Sequence, residues 1–179
     1  MKRLIFLIVM LCAVLSSIGC QMSTQTTESQ EQTLTGTFFL WRQEVFEHFA
    51  TLDLDTFELT EVREYVSADE PENYRVAAVD TVQMRTQIAS MFEGFDISHM
   101  FPGAPIDWAK VEIDLTHGTE TLRIVIVVRG PNDGVVGFIH TDAENRVVSQ
   151  GYPLDTFAAE VAAILDMVSV VHSICTTFL

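Results

Sequence analysis

The fold is decided by KVEIDLTHGTETLRIVIVVRGPNDGVVGFIHTDAENRVVSQGYP, Lys110 to Pro153. In KVEIDLT apolar and polar residues alternate. Val111, Ile113 and Leu115 fall on one side and Glu112 and Asp114 on the other, the period of a half-buried strand. HGTE turns the chain, TLRIVIVVR runs back, GPNDG turns it again, VVGFIHT follows, DAEN turns, and RVVSQGYP completes the set. Four strands joined by three short turns form an antiparallel meander. In the second of them Leu122, Ile124, Ile126 and Val128 share a face, while Val125 and Val127 make the other face apolar as well. A strand apolar on both faces is central in its sheet and covered on both sides.

The final segment, Leu154 to Leu179, is the expected cover for that second face. It is apolar almost all round, with Asp155 or Thr156 as a possible cap, and such a helix is either buried or in a membrane. Asp166, His172 and the lack of a basic flank oppose a span, since a mid-bilayer Asp costs about 2.5–3.5 kcal/mol. A helix packed on the sheet, or partly on a second copy of the chain, is the favoured reading.

Upstream of the meander, Phe38 to Phe49 places Phe39, Val45, Phe46 and Phe49 at near-helical spacing. EVREYVS (Glu61 to Ser67) and NYRVAAV (Asn73 to Val79) read as two strands around the turn-rich ADEPE. Asp80 can cap a helix through Phe95 that carries Met84, Ile88, Met91, Phe92 and Phe95 on one side. A Pro- and Gly-containing loop, HMFPGAPID, leads to the meander. The whole is an α+β domain with a single antiparallel sheet, packed by an N-terminal, a middle and a long C-terminal helix, over residues 37–179.

Lys2 and Arg3 precede the apolar run LIFLIVMLCAVL, and small residues lead from it to Gly19 and Cys20. A basic start, a short apolar core and a small-residue exit make a secretory signal over residues 1–19. The run is too short to span a hydrocarbon layer of ~30 Å. LSSIGC resembles the lipobox of bacterial lipoproteins, with Ser17 where that family usually has Leu. The resemblance implies a diacylated Cys20 as the new N-terminus and a cell-envelope location, on the periplasmic face of the outer membrane or the outer face of the cytoplasmic membrane; Gln21 as the next residue permits sorting to the outer membrane. An ordinary signal, or Cys20 as a core thiol, are the alternatives. Ser23 to Thr33 is polar and too poor in apolar residues to fold, so residues 20–36 read as lipid attachment and tether.

The formal net charge is −15, and Lys110 is the one lysine beyond the signal. This balance excludes nucleic acid as a partner, because phosphate binding needs clustered Lys and Arg. It also disfavours a body lying flat on anionic lipid. Cys12 leaves with the signal and Cys20 is acylated, so Cys175 is left single and no internal disulfide forms.

Around the meander the order of elements resembles two superfolds, the NTF2-like cone, on VAAVDTVQMRTQIASMF and TDAENRVVSQ, and the profilin/PAS/roadblock group, on the early hairpin and terminal helix. Both host enzymes, sensors and scaffolds. In NTF2-like hydratases and isomerases a buried Asp or His works inside the cone; Asp80, His99 and His140 could be placed there, but no spacing singles them out, and no catalytic residue is assigned.

No catalytic or phosphate-binding motif is present, and no cofactor is implied. His48, His99, His117, His140 and His172 are scattered singly, so no metal site is expected. Asp53, Asp55 and Glu58 lie close together but lack the glycine and distal glutamate of a calcium loop; a solvated acidic turn is expected. Met84, Met91, Phe92, Phe95, Met100, Phe101 and Trp108 gather in one third of the domain. Thioethers and aromatics line adaptable apolar pockets, and they also fill cores. The sequence therefore points to a non-catalytic, lipid-anchored domain that binds a small apolar ligand or a protein partner. A scaffold that oligomerises through its last helix, and an NTF2-like hydrolase, hydratase or isomerase, are the alternatives.

Overall fold

Four strands, β4 (Val111–His117), β5 (Glu120–Gly130), β6 (Asp133–Thr141) and β7 (Val147–Pro153), form the expected meander in the computed structural model. The structure describes residues 40–66, 72–104, 109–130 and 133–176, with side chains as far as 169. The signal, Cys20, the tether, Phe39, Trp108 and the side chains of His172 and Cys175 lie outside these residues. The chain separates into two units, Met1–Trp41 and Arg42–Leu179. The second contains every element below, apart from the first two residues of helix α1.

The turns form for local reasons. Gly118, at φ +60°, takes the first central position of the two-residue β4–β5 turn, where a positive φ favours glycine. In the β6–β7 turn Asn145 adopts φ 62°, and the Asp142 carboxylate accepts hydrogen bonds from the backbone N–H of Glu144 and of Arg146.

Before the meander, β1 (Glu58–Tyr65) and β2 (Tyr74–Val76) form a hairpin. β1 then pairs antiparallel with β4. A two-residue strand, β3 (Phe101–Pro102), adds to β7 within the stretch read from sequence as loop. The seven-stranded order is β2-β1-β4-β5-β6-β7-β3. Gly151 is required at that last pairing, because the Phe101 ring and the Gly103 carbonyl occupy the space a Cβ would need.

Three α-helices cover one face. Helix α1 spans 40–50 and buries Val45 and Phe49. Helix α2 (Thr81–Glu93) starts at Asp80, whose carboxylate accepts from the N–H groups of Val82 and Gln83, as its sequence position predicts. α2 buries Met84, Ile88 and Met91. Helix α3 (Ala158–Thr176) buries Val161, Ile164 and Val168. A 3-10 turn, Leu154–Phe157, precedes α3; it begins at Pro153 without a side-chain cap, so neither Asp155 nor Thr156 plays that part.

α3 lies on a different face from the one expected. Phe157, just before it, packs edge-on against Phe138 and Tyr152. Ser90 of α2 donates to Glu160 of α3 at 2.7 Å. Near its other end, the Val168 carbonyl accepts from Arg75, which pairs with Glu64. Glu64 is opposite Val111, and Val111 opposite Ile126. All are on the face of Leu122, Ile124 and Ile126, so α3 shares that face with α1 and α2.

The second face needs less cover than its two valines suggest. Ala109, Val125 and Val127 form a small buried cluster with Tyr65, Val135 and Ile139 against it. Next to it the same face turns ionic: Arg63 pairs with Glu61, Glu112 and Asp114, and Arg123 with Asp114. Tyr65 donates to Glu112 at 2.9 Å. Paired charges flank a few valines there, and an apolar helix laid across them would strand those charges away from water.

Candidate functional site

Two features on the helix-covered side have the chemistry of a site. One is an open groove of about 310 Å³ between α2, the 3-10 turn Leu54–Thr56 and the end of β4. Leu54, Val82, Ile88, Ala89 and Leu115 make it mostly apolar, and Asp55, Arg85 and Thr86 supply its polar edge. Val82 is 75 % exposed, unusually open for a valine.

The polar edge is already engaged. Arg85 donates to the carbonyls of Phe57 and, at 3.0 Å, of Leu54, and lies 3.9 Å from Asp55. The Thr86 hydroxyl donates to the Val82 carbonyl one turn back. Asp53 accepts from the N–H of Asp55, which fixes the acidic turn. Asp53 and Asp55 are exposed in this turn and Glu58 is exposed at the start of β1; of the three only Asp55 lines the groove, and no cluster of three metal-ligating groups occurs among the described residues.

The second feature is a set of buried polar groups among aromatics. Phe95 stacks on Tyr152, while Phe49 and Phe92 approach Phe138 edge-on. Within this layer Gln150 is fully buried, and neither atom of its amide has a hydrogen-bond partner among the described residues. The same holds for the Tyr152 hydroxyl. Burial, then the charge of Asp96, push the Tyr152 phenol far above its usual range, with Arg42 opposing them. Arg42 holds the turn after α2 by donating to the carbonyls of Ile97, Ser98 and Met100.

Close by, His48 Nε2 of α1 and His140 Nδ1 of β6 are 2.9 Å apart. His140 Nε2 faces Glu120 Oε2 of β5 at 3.5 Å. Of the three residues suggested for a cone interior, His140 is the one inside. His99 is exposed in a turn and Asp80 is spent on capping.

None of the described members of the sulfur- and ring-rich set lines the groove. Met84, Met91 and Met100 are buried, Phe92 and Phe95 join the aromatic layer, and Phe101 covers Gly151. The groove lies along α2 on Val82, Arg85, Thr86, Ile88 and Ala89, residues outside that set. The sequence offered one signal for it: Val82 interrupts the polar flank of the helix.

No candidate membrane span occurs among the described residues, for no helix there is long and apolar enough to cross. Comparison of the chain with protein-family models, with curated proteins and with solved structures finds no match.

Proposed function

We propose that this chain is a lipid-anchored, non-catalytic binding domain of the bacterial cell envelope that takes a small, neutral, apolar ligand in the groove beside α2. The groove carries the reading. Its volume is at the small end of ligand pockets, and its lining combines apolar side chains with a few polar ones, as such pockets do. The guanidinium of Arg85 is already turned to two carbonyls, and Asp55 is fully exposed at the rim. An anionic ligand would meet the acidic surface of a chain of net charge −15, so a neutral one is favoured.

The signal, Cys20 and the polar tether support the anchor. Acyl chains contribute about 0.8 kcal/mol per buried CH₂, so a diacylated cysteine would hold the domain firmly at a bilayer. Cys20→Ser should abolish incorporation of a radioactive fatty acid.

For the groove, binding of the neutral fluorophore N-phenyl-1-naphthylamine to the full chain is measured against Ala89→Trp. Ala89 is exposed, so the larger side chain fills the groove without entering the core. Probe binding should be lost with the denaturation midpoint unchanged. Equal binding by the variant would refute the groove as the site.

A further inference from the structure

We propose that His48 and His140 form a proton-operated latch that holds helix α1 on the sheet while the pair carries at most one extra proton and releases it when both rings are charged. The two rings join elements 92 positions apart in sequence. Their centroids are 5.0 Å apart, and the facing nitrogens, Nε2 of His48 and Nδ1 of His140, are at hydrogen-bond distance.

That contact depends on protonation. A neutral imidazole has one donor and one acceptor nitrogen, so two neutral rings can share one N–H···N bond. One added proton leaves the bond intact: a charged His140 donates through Nδ1 to His48, and its buried Nε2, which has no hydrogen-bond partner among the described residues, lies 3.5 Å from the Glu120 carboxylate, at ion-pair distance. A second proton removes the acceptor. Both facing nitrogens then carry hydrogens and both rings a positive charge, so the contact becomes repulsive.

The surroundings sharpen this. His140 is 3 % exposed, with Phe57 edge-on at 5.8 Å, so its charge is poorly reached by solvent. The charged groups facing the pair come from two places. Glu120 is on β5, Asp142 and Arg146 are in the β6–β7 turn, and Arg146 is tied to Asp142 at 2.6 Å and to Glu144 at 3.2 Å. Of these, Glu120 faces His140, while Asp142 has its charge shared with Arg146. Burial, then His140, hold the His48 ring below the ordinary histidine range; Asp142 opposes and Arg146 adds to the lowering.

The sign follows. A histidine depressed in the folded state contributes stability that is present above its unfolded value of 6.5 and is lost as pH falls through the folded value. Acid therefore weakens the attachment of α1, whose other anchors are Val45, Phe49 and Arg42.

The test is amide hydrogen exchange on the full chain between about pH 7.5 and pH 4.5, corrected for intrinsic rates, with α2 as internal reference. Protection of residues 45–50 should fall about tenfold more than that of α2. In His48→Gln an amide can still donate to His140 Nδ1 while one ionisable ring is gone, so the excess loss should disappear. His48 is only partly buried, which makes that variant tolerable even where His140→Gln does not fold. Equal loss in α1 and α2, no loss at all, or an unchanged loss in His48→Gln would each overturn the latch.

Discussion

Phe95 and Tyr152 stack with ring centroids 5.2 Å apart and planes within 10°, and the buried Tyr152 hydroxyl beside them has no hydrogen-bond partner among the described residues. The ring stabilises and the hydroxyl does not. Tyr152→Phe should keep or raise stability, by up to about 1–3 kcal/mol, because an unsatisfied buried hydroxyl is removed. Tyr152→Ala should cost about 3–5 kcal/mol through the cavity it leaves. Urea denaturation of the two variants checks the contrast; equal losses would contradict it.

The same phenol sets an alkaline limit. Its folded value is raised by burial, so the stability it contributes is complete below the unfolded tyrosine value of 10.0 and declines as pH rises beyond it. Tyr152→Phe should flatten the fall in thermal midpoint above about pH 10. An unchanged slope would assign the alkaline loss to other groups.

Gln150 makes the parallel case on the same strand. Both atoms of its buried amide are unpaired among the described residues, and each unsatisfied group costs about 1–3 kcal/mol. Gln150→Met, similar in length and apolar, should raise the denaturation midpoint. A lower midpoint would mean that the amide is satisfied in solution, by water or by a bound polar group.

Much of this was legible in the sequence. Alternation at Val111, Ile113 and Leu115 marked a strand, glycine and asparagine marked the turns, and Asp80 marked the start of α2. These signals are local, since a period, a turn residue or a cap reports on its immediate neighbours. The face on which α3 packs is not local. It depends on how charges pair across strands, and Arg63 with Glu112 and Asp114 made the second face more polar than Val125 and Val127 implied. β3 was hidden because Phe101–Pro102 sits among turn-forming residues, and Gly151, which admits it, is 50 positions away. The groove draws on residues from 54 to 115, and the His48–His140 pair joins α1 to β6. Neither has a spacing that repeats, so neither could be found before the chain was folded.

The ionic cluster of the second face gives the last prediction. Arg63 is the shared cation for Glu61, Glu112 and Asp114, and it lies 5.8 Å over the Tyr74 ring. Glu112, with 6 % of its side chain exposed, keeps Tyr65 as its other partner. Arg63→Met leaves a buried carboxylate without its cation, which costs about 3–5 kcal/mol. Replacing both ends, as in Arg63→Met with Glu112→Leu, removes the stranded charge and should recover most of that loss. Recovery would be incomplete, because Asp114 still loses one of its two arginines and Tyr65 loses its acceptor. If the double variant is as unstable as the sum of the two single ones, the pair is not acting as a buried unit, and the polarity of this face must be held by Arg123 instead.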